Sequence, residues 1–294
     1  MNYGNLLKSL RISRGLSQQQ LAADISSQTA LSRMEKSGNI PTDVLLNFLD
    51  KLDIHPIEFF TLAAEDHVTD SQKFLNQINK TRYDKKEMET FVKSEMELYQ
   101  KNGILKHKIN AMRSRAVYHK IHNLPLNDLK EIKETIQTYL MKFETWFIND
   151  VSLYTNLLFI FDNEFIKTHH QTILRSLNKF PLGQNQKHDY QINYANNAII
   201  LAFERNNLNS LDLYLETFNS FIKESPNSIY DRILYSIYTQ LRDLMINFDQ
   251  SRYNKLLAEI KIFELYELPN VTQDFTTFIN DCLENKKTVS TRLQ

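Results

Sequence analysis

Five glycines and six prolines are spread over 294 residues, and that scarcity narrows the folds open to this chain more than any other feature. A strand-rich fold needs a turn every few residues and builds it largely on glycine and proline. Those residues are too few here, while Leu, Ile, Lys, Glu and Gln abound and favour helix. The expected fold class is all-α. A hydrophobic fraction of 42% is ample for a core, and the length exceeds one typical domain, so two or more folding units are expected.

The first sixty residues read as five short helices. Leu6, Leu7 and Leu10 form the apolar stripe of the first, and Gly15 stands where a C-terminal cap belongs. Ser17 is placed to cap a second helix running from Gln18 to about Ile25, with Leu21 and Ala22 inward. Ser27 then caps a third, which ends near Lys36. Gly38, Asn39 and Pro41 break the chain, and Thr42 caps a fourth with Leu45, Leu46, Leu49 and Leu52 on its buried side. Pro56 opens a last short helix ending near Phe60. Periodicity then lapses, so the expected division is a first domain over 1–62, a linker over 63–70 and a second domain over 71–294.

Beyond residue 70 long amphipathic helices follow one another. One carries Leu126, Leu129, Ile132, Ile136, Leu140 and Phe143, another Leu208, Leu211, Leu215, Phe218 and Ile222. Pro125, Pro181, Pro226 and Pro269 fall between such patterns, as a residue without an N–H requires. Helices starting near Thr145, Lys187 and Ser228 each precede a partner, near Glu164, Leu208 and Arg252. The repeat is about 40 residues long and degenerate, which points to stacked helical hairpins.

The net charge is zero, but its distribution is uneven. Within residues 1–40, Lys8, Arg11, Arg14, Arg33 and Lys36 face only Asp24 and Glu35, a small basic lobe able to meet phosphate. Gln18, Leu21, Ala22, Leu31, Ser32, Arg33, Glu35, Pro41, Leu45, Leu49 and Leu52 stand at the offsets of one DNA-reading module. In that module apolar residues at 21 and 31 lock two helices at a steep angle, and the start of the second helix, Ser27 to Ala30, protrudes toward base edges. Arg33 and Glu35 are expected to pair near the end of that helix.

The segment LSQQQLAADISSQTALSRMEKSGNIPTDVLLNFLDKL resembles the Xre/Cro helix-turn-helix family, over roughly residues 3–60. The resemblance implies a lambda-repressor-like domain in which Gln28, Thr29, Ser32 and Arg33 face the major groove and Gln18 meets phosphate. The family's turn usually carries a glycine followed by an apolar residue, where this chain has Ile25 and Ser26. From chemistry alone, Lys8, Arg11, Arg14 and Lys36 supply salt-sensitive affinity, and Gln28 and Arg33 suit adenine and guanine. One such module touches little DNA. A homodimer on an inverted-repeat operator is therefore expected, its recognition helices about 34 Å apart.

A second resemblance covers the middle of the chain. IQTYLMKFETWFINDVSLYTNLLFIFDNEFIKT, with the one tryptophan at 146, resembles the mid-region of the Rgg-type regulators of Gram-positive bacteria. It implies a C-terminal repeat superhelix, like tetratricopeptide repeats in build, that binds a short signalling peptide, with RNA polymerase a further contact. If the repeat register holds, Asn156, Asn197 and Tyr238, at equal 41-residue spacing, line a concave wall. Asn149 shares the face of Asn156, Tyr190 and Asn193 that of Asn197, and Tyr235 and Arg242 that of Tyr238. An alternative keeps DNA binding but makes the repeats a constitutive dimerisation and protein-docking scaffold without a peptide.

Other chemistries have little to stand on. The one cysteine, Cys282, fits a reducing compartment and reads as a small helix residue. His119 with His122, and His169 with His170, lack the carboxylates or thiols of a closed metal site. No phosphate loop, dinucleotide fingerprint or nucleophile elbow is present. The longest apolar run, Leu157 to Phe161, is far short of the ~20 residues of a membrane span. The expectation is a cytoplasmic non-enzyme with no cofactor, no metal and no membrane partner. The charged run DKKEMETFVKSEMELYQK reads as a solvated helix face.

Overall fold

The structure, a computed structural model, describes residues 2–64, 82–179, 184–225 and 227–292; of these, the side chains of 184, 185 and 286–292 are left aside. The chain divides into two compact units, Met1–Thr81 and Arg82–Gln294. Among the described residues every regular element is helical.

The first unit holds α1 (Tyr3–Ser13), α2 (Gln18–Ala22), α3 (Gln28–Ser37), α4 (Thr42–Lys51) and α5 (Pro56–Ala64). Local chemistry sets their ends. Ser17 and Gln20 form a reciprocal capping box at the start of α2, and the Ser27 hydroxyl accepts from the Ala30 N–H at the start of α3. Leu7, Leu21, Leu31, Phe48, Leu49 and Phe59 are sealed in the core. Gly4 lets α1 approach α3 closely: a Cβ there would lie 2.3 Å from the Met34 carbonyl oxygen.

Several local expectations are corrected. α2 stops at Ala22, and the left-handed turn residue is Asp24, at φ 65°. Aspartate tolerates that region better than most residues, so Asp24–Ile25 fills the place expected of Ile25–Ser26, with Ile25 packed on the core. Pro41, not Thr42, occupies the cap of α4, without a side-chain bond. Leu46 is 42% exposed, and Phe48 takes its place in the core. α5 extends to Ala64, two residues into the stretch read as linker, whose remaining residues lie outside the described ones.

The second unit comprises α6 (Lys85–Asn102), α7 (Leu105–Ile121), α8 (Lys130–Leu140), α9 (Ile148–Asn156), α10 (Asn163–Lys179), α11 (Gln184–Glu204) and α12 (Leu208–Glu224). It continues with α13 (Ile229–Ile246), α14 (Gln250–Ile260), the one-turn α15 (Ile262–Leu265) and α16 (Pro269–Arg292). Pairs α7–α8, α9–α10, α11–α12 and α13–α14 pack as hairpins, and α16 lies against α11, α13 and α14. α6 keeps one buried residue, Met88, and carries exposed pairs such as Lys85–Glu89.

Bonds recur across the hairpins at a fixed interval. Asn197 Nδ2 donates to the Thr155 carbonyl, Arg205 to Asn163 Oδ1, and the Tyr238 hydroxyl to Asn196 Oδ1, each 42 residues apart. Trp146, 1% exposed, donates through its indole N–H to the Leu140 carbonyl at 3.0 Å and stacks on His169. It pins α8 to the start of α9.

Candidate DNA-reading and ligand-binding sites

α3 presents Gln28, Thr29, Arg33 and Lys36 exposed, with Ser32 half-buried among them. These positions share one side of the helix. The opposite side is fixed by Leu31 and Glu35, both buried. The Glu35 carboxylate accepts from Arg11 Nε at 2.6 Å and Nη2 at 3.1 Å, and from Gln18 Nε2 at 2.8 Å. One acid on α3 thus ties down α1 and α2 together. Burial alone would raise the Glu35 pKa; the hydrogen bonds from Arg11 and Gln18, with the Arg11 charge, hold it below the ordinary carboxylate value. Two further bonds brace the unit: Lys51 caps the α2 end at the Ala23 carbonyl, 2.7 Å, and Asn2 Nδ2 donates to the Ser37 carbonyl at the end of α3.

In the second unit the first helices of successive hairpins line two cavities. The smaller, about 170 Å³, lies among α7, α9 and α11 and its walls include Thr155, Asn156, Asn197, Ile200 and Leu201. At its rim Lys120 Nζ bonds both Glu204 carboxylate oxygens, at 2.9 and 3.0 Å. The larger, about 410 Å³, lies among α11, α13 and α16, against Asn193, Asn196, Ile200, Tyr238, Phe275 and Phe278. Ile200 on α11 borders both. Between the same two helices, Arg113 of α7 donates to the Ser152 hydroxyl of α9 at 3.0 Å, and burial lowers its pKa to about 10.

Residues 84–277 match the family described as HTH-type transcriptional regulator Rgg, C-terminal domain, and residues 7–59 match the family described as Helix-turn-helix. This chain belongs to the Rgg family of transcription regulators. No curated protein matches it in sequence. Among solved structures, a transcriptional regulator from Listeria monocytogenes EGD-e superposes with a TM-score of 0.79 at 19% identity, over 97% of this chain and 98% of that one. PrgX in complex with cCF10 gives 0.75 at 16%, over 97% and 93%. The SHP pheromone receptor Rgg2 of Streptococcus dysgalactiae gives 0.67 at 17%, over 95% and 98%. At these identities the likeness is one of fold.

Set in the Rgg frame, the residues expected from sequence fall into two groups. Gln28, Thr29, Ser32, Arg33 and Lys36 share the outward side of α3, and Arg14 is exposed, with a bond to the Asp53 carbonyl. Arg11 is corrected: at 7% exposure, and with its guanidinium turned to Glu35 and the Leu16 carbonyl, it is a structural residue rather than a phosphate contact. Glu35 accordingly pairs with Arg11, not with Arg33. Gln18 points to Glu35.

In the cavities, Asn156 and Asn197 meet as expected, and Asn193 and Tyr238 border the second space. Two placements are corrected. Tyr235 stacks on Phe218 of α12, and Arg242 binds Asp212 of α12 and its neighbour Asp243. Both face the preceding hairpin. Asn149 and Tyr190 are absent from the walls of either cavity. Sequence reasoning missed Thr155, Asn196, Ile200 and the α16 aromatics.

Cys282 is buried, and burial pushes its thiol up to about 12. Among the described residues no group of three His, Cys, Asp or Glu is placed to hold a metal, and no helix is long and apolar enough to cross a membrane.

Proposed function

We propose that this Rgg-family regulator acts in the cytoplasm as a homodimer on an inverted-repeat operator, and that a short peptide bound against α7, α9, α11, α13 and α16 controls it. The paired cavities carry the reading. Their walls are apolar, and each bears carboxamides able to hold the main chain of an extended peptide: Asn156 and Asn197 in one, Asn193 and Asn196 in the other. Regulators of the same fold, PrgX and Rgg2, are described as bound to cCF10 and as an SHP pheromone receptor. For DNA, the reading assigns Gln28, Thr29, Ser32 and Arg33 to base edges and Arg14 and Lys36 to phosphate. Contact with RNA polymerase follows if the operator overlaps a promoter. Control requires that the peptide bind two arrangements of the dimer unequally.

The test is a gel shift on DNA flanking the protein's own gene, run over a salt series with and without a pool of short peptides. The reading expects a specific complex whose stability falls with salt and whose yield changes with peptide. A specific complex indifferent to every peptide would instead favour a constitutive scaffold.

A further inference from the structure

A third cavity, of about 540 Å³, shares no residue with the two in the peptide cleft. Those two are walled mainly by the first helices of the hairpins. This one is formed by second helices, α8 and α10, and by the turn that leads from α8 into α9. Its volume falls within the about 300–1,000 Å³ usual for small-molecule sites. Among its walls the Trp146 indole stacks on the His169 ring, with centroids 5.4 Å apart and planes 9° from parallel. Met141, 67% exposed, and Phe143, 44% exposed, add apolar surface that the fold itself does not cover.

The polar part of the wall carries opposite charges that do not meet. Arg175 and Glu144 both border the cavity and both are exposed, yet among the described residues neither has an ion-pair partner, the other included. Arg175 donates from Nε to the Gln171 carbonyl and from Nη2 to Thr172 Oγ1, at 3.3 and 3.4 Å. Those bonds hold the guanidinium on α10 and leave Nη1 without an acceptor among the described residues. Thr172 Oγ1 accepts from Arg175 and Thr145 Oγ1 from Lys179, at 3.5 Å, so each hydroxyl keeps its own hydrogen to give. Four donors thus stand against one carboxylate, and a planar guanidinium is well suited to bind a second.

A ligand with only a carboxylate would satisfy these donors and leave Glu144 facing a like charge. One with only an ammonium would satisfy Glu144 and face Arg175. A ligand that carries both charges, with an apolar body, meets every part of the wall.

We propose that this cavity is a second ligand site, separate from the peptide cleft, and that it takes an apolar amino acid as the zwitterion. Arg175 and the Thr172 hydroxyl hold the carboxylate, Glu144 holds the ammonium, and the side chain lies against Met141 and Phe143.

Trp146 is the one tryptophan of the chain, so its emission reports on this cavity. The test follows that emission in the full chain during titration with L-phenylalanine, with hydrocinnamate, which lacks the ammonium, and with phenethylamine, which lacks the carboxylate. A saturable change with L-phenylalanine is expected, with severalfold weaker binding of hydrocinnamate and none of phenethylamine. Arg175→Gln weakens both carboxylates about tenfold, as loss of a charged hydrogen bond does, and Arg175→Lys recovers part of that. Glu144→Gln brings L-phenylalanine down to the level of hydrocinnamate and leaves hydrocinnamate unchanged. Both side chains are exposed, so the variants keep the parent's melting temperature and the losses are losses of binding. No saturable change with L-phenylalanine overturns the inference, as does a change that persists undiminished in Arg175→Gln and Glu144→Gln. Hydrocinnamate binding as tightly as L-phenylalanine overturns the role of Glu144 and with it the zwitterion. The peptide reading is tested elsewhere, by the operator gel shift, and survives any of these failures.

Discussion

The Arg11 guanidinium meets the Glu35 carboxylate through two hydrogen bonds, 2.6 and 3.1 Å long, across 24 residues of sequence. Both side chains are nearly sealed from water. Removing either partner strands a buried charge, which costs about 3–5 kcal/mol in comparable sites. Arg11→Ala and Glu35→Ala should each destabilise the first unit by that order in urea unfolding, and both should abolish operator binding. The double variant Arg11→Leu/Glu35→Leu should recover much of the stability. If Arg11→Ala unfolds like the parent, the pair is not what holds α3.

The outward side of α3 should separate sequence choice from general affinity. Gln28→Ala and Arg33→Ala each should lose about 1–3 kcal/mol of discrimination between operator and mutated operator. Arg14→Ala and Lys36→Ala should weaken binding to all sequences alike and each reduce the slope of log affinity against log salt by about one. Fluorescence anisotropy over a salt series measures both.

Gly4 is the close-approach point between α1 and α3. Gly4→Ala places a methyl against the backbone at Met34 and Glu35, which a flexible side chain cannot relieve. A loss of about 1–3 kcal/mol in thermal or chemical unfolding of the first unit is expected from overpacking of this kind. The left-handed Gly15 has open space around its Cα, so Gly15→Asn should cost far less.

The two units should weaken with acid in different windows. In the second, His170 is buried, its Nδ1 2.7 Å from the Tyr194 hydroxyl, and burial lowers its pKa below the ordinary 6.5. The unfolded chain therefore takes up a proton before the folded one does, and stability falls as pH drops below about 6.5. In the first, Glu35 is held below its ordinary 4.5, so its contribution is complete above that pH and is lost on further acidification. Hydrogen exchange at pH 7, 5.5 and 4 should show the second unit loosening first, and His170→Asn should flatten its upper window. Equal loosening of both units at pH 5.5 would count against this.

What the sequence made legible was mostly local. Ser17 and Ser27 act through atoms three residues away, and the apolar spacing of Leu21, Leu31, Leu45 and Leu49 needs only helix geometry. The reading failed where a partner is distant or a residue type is permissive. Arg11 looks like any surface cation until Glu35, 24 residues on, closes over it. Asp24 takes the left-handed turn that glycine usually marks.

In the cleft, the 41-residue alignment expects Asn156, Asn197 and Tyr238 on one wall; the first two border one cavity and Tyr238 the other, and a helix face is broad. Tyr235 and Arg242 are two turns apart and nearly in line, whereas Tyr238 is turned away from both by roughly 40–60° at 3.6 residues per turn. That difference sends the former to α12 and the latter to the cavity. α16 repeats nothing earlier in the chain, so its aromatic wall could not be inferred from a period.

The Lys120–Glu204 bridge at the rim of the smaller cavity has an experimental use. Since the two charges cancel where they stand, ionic strength has little to screen in the cleft. Phosphate contacts behave oppositely, losing orders of magnitude over a few hundred millimolar salt. Salt concentration thus becomes a dial that silences one end of this molecule while leaving the other audible, letting ligand capture be followed with the operator out of play.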